Sequence, residues 1–432
     1  MGRSRFRYIE GGSRILRNRV EESGRVKRRR KAGSPEIAPT GRDITHLRQL
    51  IYALTLLSSL LQSAIAPLLP LYAHRFSLNG FQTAELLAAT GIAALVVSLP
   101  AGTMSDRFGA RVLTLWAGWL IVVATLGQAF APSFVSLLAT RLVFGLGYGI
   151  VWTAALTWLA NATHDESTLA GTVTASGFGC IVGPAFAGFL AQSFGLAAPF
   201  VVTAVLMVVV TAMLSSIDLE GVSTEVRTGI ISSVRAAAAD LKVLGAATAV
   251  AVAGASAAVV TLLAPLELHR SGVSEASIGI AFSAAAVVFI VGSAVTKRVG
   301  LKAVRLKTVL GSALVLALVL SPASASTAPL LIVVMLCGTA AVRAVLWAVG
   351  YPLGASGASD AGLGLGVVMG LLNFVWALSA IVSPLVAGAL VGPLGARTTF
   401  VIAEIALLTA LAIGWLAFRV RVPVGGVRVG SL

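Results

Sequence analysis

Two arginines, Arg141 and Arg343, stand inside long apolar runs. A charge in such a run costs roughly 2.5–3.5 kcal/mol on insertion scales, so each needs a partner or a task. A guanidinium held there can bind an anion, or steady a carboxylate through which a proton passes. The carboxylates in or beside apolar runs are Glu85, Glu267 and Glu404, and with Arg141 they are the candidates for proton handling. Tyr52, Gln62, Trp152, Trp347, Asn373 and Trp376 are polar or aromatic members of the same kind of run. Each aromatic suits packing as well as binding. A third feature is the charged stretch Gly102-Thr103-Met104-Ser105-Asp106-Arg107-Phe108-Gly109-Ala110-Arg111. Its Asp106 can accept from backbone N–H groups at a neighbouring helix N-terminus, where the helix dipole favours a carboxylate. The four histidines, His46, His74, His164 and His269, lie at run edges, and none pairs at i, i+4. Cys180 and Cys337 lie inside runs with no metal-ligand spacing. No metal, cofactor or catalytic residue is therefore expected, and an enzyme embedded in a membrane is the remote alternative.

These residues must be positioned by membrane-spanning helices. Hydrophobic residues are 57% of the 432-residue chain and charged residues 11%. A soluble domain carries about 25% charged residues. A bilayer span needs about 20 apolar residues. The runs at 49–73, 82–102, 111–131, 134–160, 168–191, 197–217, 243–268, 276–296, 306–322, 328–353, 361–391 and 398–418 predict twelve spans. The fold class that follows is all-α and integral to the membrane. The first run begins near Leu50, too far from the N-terminus for a standard signal peptide, and reads as a retained span.

The net charge of +15 is unevenly spread. Residues 1–48 hold 14 Lys/Arg against five acids, including the run Lys27-Arg28-Arg29-Arg30-Lys31. A basic arm beside a span is a topology signal or a contact with anionic lipid head groups, and this placement argues against nucleic acid as a partner. With both termini inside, 27 Lys/Arg fall on the cytoplasmic side and three, Arg75, Arg270 and Arg397, on the other. That asymmetry predicts cytoplasmic termini and an even number of spans.

The expected organisation is a basic, disordered arm (1–46), a six-helix bundle (47–217), a cytoplasmic linker (218–242), a second six-helix bundle (243–418) and a cytoplasmic tail (419–432). Within the linker, Arg235–Asp240 suits a short amphipathic helix on the membrane face. An internal repeat supports the division. Residues 181–190 match residues 381–390 at six of ten positions, at an offset of 200. Pro70–Arg75 resembles Pro265–Arg270 at an offset of 195.

Four regions carry a resemblance to a known family. The first is the 102–111 stretch, in which Gly102, Asp106, Arg107, Gly109 and Arg111 fit the signature loop between the second and third helices of the major facilitator superfamily. The second is Arg141-Leu-Val-Phe-Gly145-Leu-Gly147-Tyr-Gly149, which is similar to that family's fourth-span motif. The third is Gly179-Cys-Ile-Val-Gly183-Pro184-Ala-Phe-Ala-Gly188, echoed at Pro384 and Gly388, and it resembles the motif of the family's exporters. The fourth is Pro67-Leu-Leu-Pro70, which resembles a motif of the twelve-span drug/proton antiporters. Met104, Ala110 and Ala187 depart from the usual residues.

The resemblance implies the major facilitator fold: twelve transmembrane helices in two pseudo-symmetric halves. It implies a latch at 102–111, a helix-packing role for the glycines and prolines of the third motif, and a central cavity lined by spans 1, 4, 7 and 10. Arg141 and Arg343 would contribute to that cavity. The implied function is proton-coupled efflux of a small, moderately hydrophobic or anionic molecule by a monomer in a bacterial cytoplasmic membrane. Uptake of a sugar, organic acid or other nutrient is the alternative.

Overall fold

The computed structural model describes residues 41–163, 166–219, 240–299, 311–312, 314–316, 318–319, 328–360 and 365–421. Most of the predicted ninth span, the Arg235–Asp240 helix apart from Asp240, most of the basic arm and nearly all of the tail lie outside them.

Every regular element among the described residues is helical. In chain order these are α1 (Gly41–Arg75), α2 (Gly80–Phe108), α3 (Ala110–Ala129), α4 (Phe134–Ile150), a π-turn (Val151–Ala155) and α5 (Leu156–Thr163). Then come α6 (Glu166–Phe194), α7 (Ala198–Ser215), α8 (Leu241–Arg270), α9 (Glu275–Val299), α10 (Pro329–Asp360) and α11 (Leu365–Arg421). Among the described residues ten stretches are long and apolar enough to cross a membrane. The last, Val367–Ala410, holds two of the predicted spans, because α11 is broken inside by Gly395 at φ 77°. No loop separates the eleventh and twelfth spans; one glycine in the left-handed region makes the turn.

The helix ends follow local chemistry. Asn79 and Gln82 form a reciprocal capping box at the start of α2, and Ser133 and Ser136 do the same for α4. Asp240 accepts from the Lys242 and Val243 N–H groups, both at 2.9 Å, at the start of α8. Inside the spans, hydroxyls such as those of Thr125, Thr203 and Thr248 donate to carbonyls four residues back in their own helices. Hydrocarbon offers them no other acceptor.

Residues 45–432 form one unit, built on two buried clusters. One cluster comes from residues 47–214 and the other from 246–407, joined by Ala84 of α2. The helices run back and forth between two ends. The near end holds the start of α1, Gly109 and the start of α8. The far end holds residues 76–79, 195–197 and 271–274. Arg111 pairs with Asp218 at the near end (2.9 Å), as does Lys242 with Asp360.

Candidate functional site

Among the described residues two helix pairs make most of the contact between the N-terminal and C-terminal halves: α2 against α11, and α6 against α9. At the far end this seam is backbone against backbone. Gly80 lies on the Gly388 carbonyl and the Val391 side chain, and Gly388 on the Gly80 carbonyl and Ala84. Gly188 meets the Glu275 carbonyl, and Gly279 meets the Pro184 carbonyl. A Cβ at any of these positions would overlap its neighbour. Among the described residues two hydrogen bonds cross the seam. The Ala185 N–H donates to Ser283 Oγ (3.1 Å), and the Ala276 N–H donates to Gln192 Oε1 (3.2 Å). Deeper in, a Cβ on Gly91 would stand 3.1 Å from Ile381, and one on Gly177 3.3 Å from Ile290.

Between these two inner contacts each half presents a cluster of polar and aromatic side chains. In the C-terminal half Trp347 is central. Its ring lies 6.5 Å from Phe289, 4.8 Å from Tyr351 and 6.1 Å from Trp376, centroid to centroid. Phe289 belongs to α9 and Trp376 to α11, the two helices that meet the other half. Trp347 therefore lies on the face of α10 turned toward that half. Tyr351 donates to Asn373 Oδ1 (2.8 Å) and fixes the amide.

In the N-terminal half, Ser59 and Ser176 share a hydrogen bond (2.7 Å) between α1 and α6. Tyr148 reaches Ser59, and its ring lies 6.3 Å from that of Trp152. Ser176 adjoins Gly177 and Phe289 adjoins Ile290, so the inner seam contact sets the two clusters at one level. Trp152 stands in the π-turn, an element frequent at functional sites. Tyr52 donates to the Thr168 carbonyl (2.8 Å), which ties α1 to α6. Gln62 Oε1 is buried and has no hydrogen-bond partner among the described residues.

Arg141 is a correction to the cavity assignment. It is 1% exposed and points into the N-terminal bundle, where its Nε donates to the Leu86 carbonyl of α2 (3.1 Å). The guanidinium carbon lies 5.6 Å from the Phe144 ring centre, and Nη2 is buried without a partner among the described residues. The reason is close packing of α4 on α2: a Cβ on Gly145 would fall 2.6 Å from the Thr90 carbonyl and 2.8 Å from Ala93. Arg343, expected to be deeply embedded, is only half-buried, and its Nε donates to the Thr339 carbonyl of its own helix (3.3 Å). Neither arginine is ion-paired among the described residues. Glu267 is buried and paired with Arg270 at the far end, while Glu85 and Glu404 are half-buried.

The 102–111 stretch is less of a turn than its charge suggests. Helix α2 continues through it to Phe108, and the reversal is made by Gly109 alone, at φ 88°. Arg111 binds Asp218 and the Ser215 carbonyl (3.2 Å), and Arg107 lies over the Phe108 ring. The surroundings of Gly102 and the side chain of Asp106 are outside the described residues.

The glycines of the third motif serve two faces of α6. Gly179 lies on the Leu56 carbonyl, and Gly183 on Ser63 Oγ and the Leu60 carbonyl, so both bind α6 to α1. Pro184 and Gly188 face α9. Pro384 is buried in α11, four residues before Gly388.

A separate cavity of about 300 Å³ opens between α8 and α11, lined by alanines, valines and a few hydroxyls. Those of Ser256, Ser379 and Thr399 donate to carbonyls of their own helices. None of the aromatic side chains of the facing clusters lines it.

The structure thus brings together Trp347, Trp376 and Asn373 and places Trp152 in the opposing cluster. It places Ser59 there too and adds Tyr148, Ser176, Phe289 and Tyr351, which residue type alone did not single out. A signal was there. Phe144, Tyr148 and Trp152 stand four apart in one span, and Arg343, Trp347 and Tyr351 four apart in another, at an offset of 199. That offset falls within the 195–200 of the internal repeat.

Comparison with known proteins fits this architecture. A family model described as Major Facilitator Superfamily matches residues 51–368. The chain is 33% identical over 134 residues to the MFS-type transporter ppzB of Metarhizium rileyi, covering 30% of this chain and 28% of that one. It is 32% identical over 158 residues to the multi-drug resistance efflux pump PmrA homolog of Lactococcus lactis, covering 35% and 39%. The matched segment thus spans well under half the length of these relatives. Among solved structures, a bacterial homolog of the human lysosomal transporter Spinster superposes with a TM-score of 0.73 at 14% identity, covering 88% of this chain and 98% of that one.

Proposed function

The chain belongs to the Major Facilitator Superfamily, and on that premise we propose that it is a secondary active transporter. It exports a small, moderately hydrophobic or anionic molecule by alternating access, driven by protons. The observation that carries this reading is the pair of clusters facing one another between the halves. A site contributed by both halves is remade whenever the halves swing, which couples occupancy to the side of access. The bundles at 47–217 and 243–418 are the moving bodies, joined by 218–242, and the 102–111 stretch is the latch. Similarity to an efflux pump and the exporter-like glycines of α6 favour the outward direction. The protein acts as a monomer in a bacterial cytoplasmic membrane, and its basic arm lies on anionic lipid.

Proteoliposomes with an imposed pH gradient test this. Solute should move against its own gradient only while the proton gradient lasts, and Asp106→Asn should slow that flux at least about tenfold while the protein still inserts and folds. Roughly one charge-assisted hydrogen bond is at stake. Solute moving with the protons would establish uptake, and flux indifferent to pH would remove the coupling. For topology, a single cysteine at Ser431 should label only in permeabilised cells, and one at Ser193 in intact cells. Labelling of Ser431 in intact cells would reverse the orientation.

A further inference from the structure

We infer that the site between the halves takes a planar aromatic anion, its ring on the Trp347 platform and its acid group on Arg343. This inference rests on the transporter reading and names the substrate class of the same site.

The two halves are unequal here. The stripes on α4 and α10 correspond at the repeat offset, so Tyr148 stands opposite Trp347 and Trp152 opposite Tyr351. At the remaining place one half carries Phe144 and the other Arg343. A scaffold common to both repeats needs no charge at that place, since Phe144 occupies it in one of them.

Arg343 sits one turn from Trp347 on the same face of α10. Among the described residues its single hydrogen bond goes from Nε to its own helix, and it has no carboxylate partner. It is half-buried, unlike Arg141, and so remains open to a ligand. Among the in-span acids, Glu267 is bound to Arg270.

The neighbouring polar group is also a donor. Tyr351 occupies Asn373 Oδ1, which leaves the amide N–H groups to donate. Phe289, Trp347, Tyr351 and Trp376 make an aromatic corner of the kind that attracts organic cations. Arg343 decides against a cation, because a like charge one turn away in a low-dielectric setting repels it. A ring bearing a carboxylate satisfies every feature: stacking on Trp347, a charge-assisted and geometrically matched contact to the guanidinium, and an amide donor beside it.

The test uses three probes with one ring system, 2-naphthoate, 2-naphthamide and 2-naphthylmethylammonium, titrated against the full-length purified protein with tryptophan fluorescence as the readout. Naphthoate should bind about tenfold or more tighter than the other two. Arg343→Gln should collapse that ratio to within about twofold, and Arg343→Lys should keep most of it. Trp347→Leu should weaken naphthoate and naphthamide together. Retention on size exclusion confirms that each variant is folded. Preference for the ammonium probe, no binding of naphthoate, or an unchanged ratio in Arg343→Gln would overturn the proposal. If any of these occurs while pH-driven flux of another solute persists, the substrate class is wrong and the transporter reading stands. Loss of pH-driven flux for every solute offered would instead strike the transporter reading itself.

Discussion

Arg141→Ala protein should lose pH-driven flux by at least about a hundredfold while its facing clusters still bind ligand. The expectation comes from where the residue points. Its guanidinium is sealed between α4 and α2, with one N–H on the Leu86 carbonyl and Nη2 unpaired among the described residues. It cannot be a direct ligand contact in this conformation. A buried cation with that little compensation is held at an energetic cost, and replacing buried charges by apolar groups of similar volume is often neutral or stabilising, whereas truncation to alanine adds the cost of the cavity left behind. Arg141→Met, which keeps most of the volume, should therefore leave melting in detergent unchanged, within about 1 kcal/mol of stability. A residue whose loss spares the fold and the binding but stops the proton-driven cycle is acting in coupling. Arg141→Lys should not rescue fully, because an ammonium does not reproduce the planar fork. Binding, thermal stability and flux measured on one preparation decide the matter. Wild-type flux with intact pH dependence would make Arg141 structural.

Gly179→Val should yield almost no folded protein. A Cβ at Gly179 would fall on the Leu56 carbonyl and beside the Leu60 nitrogen, both of them backbone and neither able to rotate away. Helix α6 would have to lift off α1, losing the neighbouring Gly183 contact with the Leu60 carbonyl as well. Overpacking a core by a methylene or two costs about 1–3 kcal/mol where side chains can shift, and here they cannot. Gly392→Ala is the control, since a Cβ there meets nothing within 4 Å. It should be neutral or slightly stabilising, by up to about 1 kcal/mol. The comparison is the folded yield on size exclusion after graded heating. Equal yields from the two variants would remove the packing account of α6 on α1.

Most of the helix plan was legible in the letters, because hydrocarbon requires long apolar runs and each run had to be a span. The ends were less so. Hydropathy reports where lipid stops, and the backbone can remain helical past that point, as it does from Gly102 to Phe108. The eleventh and twelfth spans are two helices, as their runs imply, and they meet at a single glycine, Gly395. Arg141 was identified as buried, but periodicity does not say which neighbour receives a side chain, and the close approach at Gly145 sends it to Leu86 instead of the gap between halves. Arg343 shares its face of α10 with Trp347 and is half-buried there. Tyr148, Tyr351 and Phe289 went unnoticed one by one, since any single aromatic suits packing. Their four-residue spacing in two repeat-related spans was the visible clue.

The glycine seam at the far end has a further consequence, for how lightly the resting shape is held. Each of the two hydrogen bonds that cross it contributes about 0.5–1.5 kcal/mol net. The rest of its contact is dispersion between backbones, which lipid or a rearranged helix face can replace. Turning a two-state balance from 1:99 to 99:1 takes about 5.5 kcal/mol of differential affinity, whereas micromolar binding corresponds to about 8.2 kcal/mol in all. On the alternating-access reading, a joint of this kind would hold the two shapes close in energy. A ligand held with ordinary strength then has enough in hand to set the direction of swing, and the molecule has no need of a tight grip that would hinder release.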